Sequence, residues 1–182
     1  MDLEERKRVL RAEVRARMPK EGFVAASVAA QERLAGSGLA AAAKVVGLYR
    51  SLPSECGTAS LAAKLQAAGK EICYPAIVPS QRQLAFRRGA GAFVAGDLGV
   101  EEPVGSPVEL AEIDLLVVPA IAVDASGRRL GRGKGHYDAT LAAFRGVSVA
   151  LVFETQLVPE VPVGEHDRPV SAVCTEARLI TV

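Results

Sequence analysis

The chain has 182 residues, 49% hydrophobic and 24% charged, with a formal net charge of +1. At about 150 residues per domain this is one domain, residues 1–182, large enough to bury a core without disulfide or metal staples. The charge balance excludes a globally basic nucleic-acid wrapper, and 4% aromatic residues with no Trp exclude a broad base-stacking surface.

Residues 2–18 are expected to be helical. Leu3, Leu10, Val14 and Met18 share one side at near-heptad spacing, and Arg8, Arg11 and Arg15 form a basic stripe on another. The run is charged throughout, without the apolar segment of a secretory signal. A second helix is expected over 22–35, ended by Gly36-Ser37-Gly38. Lys44–Tyr49 reads as a β-branched strand that leaves through Arg50–Glu55. Thr58 or Ser60 then caps a helix to Ala68, and Glu71–Tyr74 is a short strand ended by Pro75. Residues 76–113 are the least regular: Leu84–Phe86 reads as a strand, whereas 89–93 and 96–107 are turn-rich.

Asp114–Val118 is a continuous apolar run, as expected of a strand buried on both faces. A loop follows, then a helix over Tyr137–Phe144 and a second apolar strand over Val147–Phe153. Two short β segments are expected at 170–174 and 178–182. Strands alternating with helices predict an α/β fold, a single mainly parallel sheet flanked by helices. Cys56, Cys73 and Cys174 are too few and too scattered for a disulfide framework or a Cys-x-x-Cys knuckle, which suits a reducing compartment. No run of about 18 apolar residues occurs, so the expectation is a cytoplasmic protein without a membrane partner.

The strongest chemical signal is Arg128-Arg129-Leu130-Gly131-Arg132-Gly133-Lys134-Gly135-His136-Tyr137-Asp138. Glycines at alternate positions let backbone N–H groups close on an anion, and Arg132 and Lys134 add charge. The segment runs from an apolar strand to a helix start, where a polyphosphate is the natural guest and a flexible basic turn the plain alternative. It matches neither the Walker A pattern nor the dinucleotide fingerprint. Asp138 and Asp167 lie in two loops that could stand at one sheet edge and hold Mg²⁺ against phosphates. Otherwise Asp138 is a helix first-turn acid and Asp167 a solvated loop residue. Glu55 is either an acid near a helix start or a substrate-facing carboxylate. Lys7, Arg8 and Arg11 form a solvated helix face or a clamp over a nucleotide. His136 and His166 lack metal-site spacing.

These motifs, in order, resemble the 5-formyltetrahydrofolate cyclo-ligase family, the 5,10-methenyltetrahydrofolate synthetases. The likeness runs from Lys7–Arg11 through Tyr49, Ser51 and Glu55, then Gly99–Pro103 and Asp114–Pro119. It continues through Asp124 and Gly127–Asp138 to Gln156–Val158, His166-Asp167 and Thr175-Glu176. Ala76, Ala120, Val123, His136 and Ala139 depart from the family's usual residues. The resemblance implies a fold like that of the sugar-phosphate isomerases and CoA transferases. It implies an enzyme that uses ATP and Mg²⁺ to convert 5-formyltetrahydrofolate to 5,10-methenyltetrahydrofolate, ADP and phosphate, through a phosphorylated formyl group.

By matching position, Lys7, Arg8 and Arg11 would contact ATP. Arg129, Leu130, Gly131, Arg132, Gly133, Lys134, Gly135, His136 and Tyr137 would hold its phosphates, with the stretch from Arg132 to His136 also meeting the formyl group. Arg50 and Glu55 would face the folate, Asp138 and Asp167 would bind magnesium, and Lys134 and Arg132 would neutralise charge in the reaction. The expected partner is a small reduced folate, with no nucleic acid, and a monomeric chain. A paralogue acting on another N-formyl compound and an RNA- or nucleotide-binding module are the competing classes. Net charge and scarce aromatics speak against the module.

Overall fold

The computed structural model describes residues 1–18, 23–89, 93–95 and 101–182, with the backbone alone at Glu102. Strands β1 (Val45–Gly47), β2 (Glu71–Ala76), β3 (Ala85–Arg88), β4 (Phe93–Ala95), β5 (Glu101–Pro103) and β6 (Pro107–Val108) precede the central β7 (Leu115–Val118). After it come β8 (Ala122–Val123), β9 (Arg129–Leu130), β10 (Val147–Leu151), β11 (Ala172–Cys174) and β12 (Leu179–Thr181). The helices are α1 (Leu3–Arg17), α2 (Phe23–Ala35), α3 (Gly38–Ala42), α4 (Ala59–Ala67) and α5 (His136–Ala143). Every expected strand and helix is present in the expected order among further short elements, and the mainly parallel sheet holds. Its order is β12-β11-β10-β7-β1-β2-β3-β6. The five central strands are parallel, and β12, β3 and β6 run antiparallel to their neighbours at the two edges.

All four side chains of β7 are buried, at about 2 kcal/mol each. Leu115 and Val117 join the core under α2, α3 and α4, while Leu116 and Val118 join the one that includes Leu141 and Phe144 at α5. That explains the unbroken apolar run: a strand covered on both faces has no solvent side to alternate toward. Helix α1 belongs to neither layer. Its Val14 packs with Ile121, Ala122 and Leu130 of the β8–β9 hairpin and with Val158 and Val161.

Several expectations needed adjustment. Strand β2 runs through Pro75 to Ala76, because its parallel register with β1 ends at Cys73 and only β3 pairs with it beyond. There proline's missing N–H is tolerated as on an edge strand. Thr58 stands at the start of α4 but its hydroxyl donates to the Tyr49 carbonyl at 2.6 Å, so it closes a loop instead of capping. The short α3 stands where the sequence gives no element, the β8–β9 hairpin lies in the expected loop after β7, and β5 and β6 lie within the stretch expected to be turn-rich. Ala120 and Val123 are buried hydrophobics in the core that includes β7 and α5; the Val123 departure is a matter of core packing, whereas Ala120 also lines the cavity described below. Residues 90–92 and 96–100 of the expected turn-rich stretches, Gly99 and Val100 of the family motif, and residue 22 of the second helix lie outside the described residues. Among the described residues no helix is long and apolar enough to cross a membrane.

Candidate active site

The chain passes from β1 to β2 on one side, then returns to lay β7 on the other, so the sheet's topological switch lies between β1 and β7. In open α/β sheets the crevice beyond the carboxyl ends of strands at such a switch is where ligands bind. A cavity of about 840 Å³ opens there, lined by Tyr49–Glu55 residues after β1, by Pro119–Ile121 after β7, and by 129–139. Helix α1 and the 164–168 loop complete it. Nine lining side chains are cationic and five acidic, an excess of four on a chain whose net charge is +1. The cavity therefore concentrates positive potential for anionic ligands.

The glycine turn is held from both ends. Gly133 (φ +93°) and Gly135 (φ +75°) adopt the left-handed region that side chains disfavour, and Gly135 is the residue from which α5 starts. Gly131 serves a different need: a β-carbon there would lie 2.8 Å from Nη1 of Arg129. Arg129 is buried, donates from Nη2 to Asp138 Oδ1 at 2.8 Å, and sits 5.8 Å from the Tyr137 ring centre. Its Nε is a buried donor with no acceptor among the described residues. Burial pushes the Tyr137 phenol up, and Glu55 adds to the shift, so it stays a neutral hydroxyl.

Two side chains tie the turn to the other walls. Arg11 on α1 donates from Nε to the Gly131 carbonyl at 3.0 Å. Arg132 donates from Nε to Glu55 Oε1 at 3.0 Å and from Nη2 to Ser54 Oγ at 3.1 Å. The loop bearing Glu55 is pinned at its base, where the Tyr49 hydroxyl donates to the Cys56 carbonyl at 2.6 Å. The second Glu55 oxygen accepts the Leu52 N–H.

Asp138 and Asp167, apart by 29 positions, both line the cavity. Oδ1 of Asp138 accepts from Arg129, and Oδ2 of Asp167 accepts from Lys7 Nζ at 2.6 Å and from the Gly164 N–H at 2.5 Å. Burial alone would raise the Asp167 carboxyl; Lys7 and Gly164 outweigh it and hold it below the usual value. Among the described residues no cluster of three or more His, Cys, Asp or Glu forms a protein-enclosed metal site. Two carboxylates, each using one oxygen for these contacts, fit an ion such as Mg²⁺ that completes its shell with water and phosphate oxygens.

Most residues singled out in the sequence meet here. Lys7, Arg11, Arg50, Glu55, Asp138, Asp167 and the whole stretch 129–137 line the cavity. Lys134 lines it with an exposed side chain and no ion pair among the described residues. Arg8 does not reach it; the exposed side chain pairs with Glu5 at 2.7 Å on the outer side of α1. Arg15 lines the cavity instead, so the inward stripe is Lys7, Arg11 and Arg15 at i, i+4, i+8. Arg50 is held by Glu101 and lies 4.4 Å from the Phe93 ring centre. His136 is engaged through Nδ1 with the Arg82 carbonyl at 2.9 Å.

Two residues that the sequence shows only as part of the family likeness, with no role attached, build the site from below. Gln156, buried, accepts the Phe153 N–H and donates to the carbonyls of Ala120 and Ile121, fixing the segment after β7. Asp124, also buried, accepts from Ser126 N, Arg128 N, Arg128 Nε and Val161 N, and so presents β9 and Arg129. The Asp-x-Ser-Gly spacing of 124–127 is an Asx-turn signal that could have identified the second. Cys56, Cys73 and Cys174 are buried free thiols pushed up by burial, Cys56 to about 11 and the others to about 12, with no role in this chemistry.

Several known proteins are similar to this chain in sequence and in fold. A 5-formyltetrahydrofolate cyclo-ligase of Mycolicibacterium smegmatis is 37% identical over 153 residues, 78% of this chain and 78% of its own. One from Escherichia coli (strain K12) is 33% identical over 146 residues, 75% of this chain and 80% of its own. The solved structure of Aquifex aeolicus 5,10-methenyltetrahydrofolate synthetase superposes with a TM-score of 0.83 at 26% identity, covering 96% of this chain and 92% of that one. A Mycoplasma pneumoniae synthetase, 16% identical, shares the fold with a TM-score of 0.74 over 97% and 99% of the two chains. A sequence profile of the 5-formyltetrahydrofolate cyclo-ligase family matches residues 2–176, so the chain belongs to that family and is an enzyme of the ligase type.

Proposed function

We propose that this enzyme closes 5-formyltetrahydrofolate to 5,10-methenyltetrahydrofolate at the expense of ATP, with Mg²⁺ at Asp138 and Asp167. The observation that carries the reading is the meeting, in one cavity, of the glycine turn 131–135, the Lys7–Arg11 face of α1 and the Arg132–Glu55 pair. An amide-like formyl oxygen is a poor leaving group. ATP, with its magnesium, supplies the phosphoryl group that turns that oxygen into phosphate, and the folate's own N10 then closes the ring as phosphate departs.

The chain's own residues have the remaining tasks. Backbone N–H groups of the glycine turn, with Lys134, Arg132 and Arg11, surround the phosphates and neutralise charge as it develops. Arg129, with its free Nε, adds a buried donor beside them. Glu55 and Arg50 orient the folate across the crevice. No covalent nucleophile is called for, and the gain comes from alignment in a partly closed cavity.

The test is a coupled measurement of ADP release and methenyl-folate absorbance with 5-formyltetrahydrofolate, ATP and Mg²⁺. Equal yields of ADP and methenyl product support the reading. ADP release that is stimulated by a different N-formyl compound and not by this folate would reassign the substrate; no ADP release with any of them would defeat the proposal.

A further inference from the structure

The cavity's cations are not distributed evenly among carboxylates. Arg50, Arg129 and Arg132 each pair with one, and Lys7 pairs with Asp167 and Glu4. Arg82, in the loop between β2 and β3, lines the cavity with no carboxylate within ion-pair distance among the described residues. Arg11, Arg15, Lys134 and Arg168 are the other cavity cations without an ion pair among the described residues, and Arg82 alone of these comes from the β2–β3 loop. The guanidinium sits by Gly135 at the end of the glycine turn, and the cavity lining contributed by its own loop, the flanking strands and α5 includes the apolar Pro75, Ile77, Leu84, Ala139 and Ala142.

The loop is fastened to α5 by two bonds. Thr140 Oγ1 accepts the Leu84 N–H at 3.0 Å, and His136 Nδ1 lies 2.9 Å from the Arg82 carbonyl. A carbonyl can only accept, so Nδ1 carries the proton and donates. Ser80, at φ +70°, is the one non-glycine residue with positive φ among the described residues, and it turns the chain back so that Arg82 reaches the cavity. At Gly135 a β-carbon would lie 3.7 Å from Arg82 Nη1, which places the guanidinium at the start of α5.

A flat apolar body laid on this wall and ending in a carboxylate would complete it. A guanidinium fork takes a carboxylate with two parallel hydrogen bonds. Resting on the folate reading above, we propose that Arg82 is a specificity residue that binds the glutamate carboxylate of the reduced folate, and that His136 is its positioning residue.

Calorimetric titration tests this with three ligands: 5-formyltetrahydrofolate, the same compound truncated to its pteroate, which lacks the glutamate, and Mg·ATP. Arg82→Ala is expected to weaken the full folate about tenfold to a hundredfold, with the truncated compound and Mg·ATP bound as by the wild type. His136→Ala should share the loss, and His136→Asn, which keeps a donor near the Nδ1 position, should restore most of it. An unchanged folate affinity in Arg82→Ala, an equal loss for the truncated compound, or a loss confined to Mg·ATP overturns the assignment. Failure of His136→Asn to recover affinity overturns the positioning role. If the wild type binds ATP but no 5-formyltetrahydrofolate, the parent reading falls together with this one, whereas failure in the variant alone leaves the parent standing.

Discussion

Arg132 and Glu55 are 77 residues apart in sequence and meet with Nε 3.0 Å from Oε1 at the rim of the cavity. The pair joins the glycine turn to the loop after β1, so the sides of the crevice proposed for phosphate and for folate share one ion pair. Arg132→Ala and Glu55→Ala are each expected to lower turnover at least tenfold. The double variant should be little worse than the worse single, because groups that act as a unit are not additive. Losses that multiply in a double-mutant cycle would show two independent roles.

Lys134 has an exposed side chain, so the fold gains little from it. Its removal should cost catalysis alone. Lys134→Ala is expected to lower turnover about a hundredfold, on the order of 3 kcal/mol in the barrier, with the melting temperature unchanged. Near-normal turnover in the methenyl-folate absorbance assay would remove Lys134 from the reaction.

The Lys7–Asp167 pair ties α1 to the 164–168 loop with little exposure of either side chain. Burial opposes ionisation of Asp167, but Lys7 and the Gly164 N–H prevail and depress its pKa below the reference 3.8. A depressed carboxylate stabilises fully above its unfolded value and loses that contribution as pH falls through the folded one. Asp167→Asn should therefore cost about 2 kcal/mol at neutral pH, roughly 4–8 °C in melting temperature. The gap between wild type and variant should narrow below about pH 4. Parallel melting curves at all pH values would contradict the pairing.

Gln156 satisfies one backbone N–H and two carbonyls in the interior. Gln156→Ala strands all three, and buried groups left unpaired cost about 1–3 kcal/mol each before relaxation. A loss of about 3 kcal/mol in denaturant midpoints is expected, together with weaker ligand binding as the segment after β7 loosens. A variant as stable as the wild type would mean that water replaces the amide.

Gly131 leaves room for Arg129. A methyl group there must displace a guanidinium that is buried and paired with Asp138. Gly131→Ala should weaken Mg·ATP binding about tenfold while costing only about 1 kcal/mol of stability, the lower end of overpacking costs. Affinity within twofold of wild type, measured by calorimetry, would show that Arg129 moves aside without consequence.

The order of strands and helices was legible because it rests on periodicity. Leu115–Val118 is apolar at every position, and only a strand covered on both faces has that pattern. The glycine turn was legible as well: Gly131, Gly133 and Gly135 at alternate positions among cations mark backbone that must bend tightly around charge. What one-dimensional pattern cannot encode is rotation and pairing. Whether Arg8 or Arg15 shares the cavity with Lys7 depends on how α1 seats Val14 against the β8–β9 hairpin, a packing choice made by residues more than a hundred positions away. The partners of Glu55, Asp167 and Arg82 are likewise set by which loops the parallel sheet delivers to its switch point. Sequence determined the chemistry available to this enzyme. Tertiary structure decided which charges meet, because an ion pair falls off over a few ångströms and only the folded chain sets those distances.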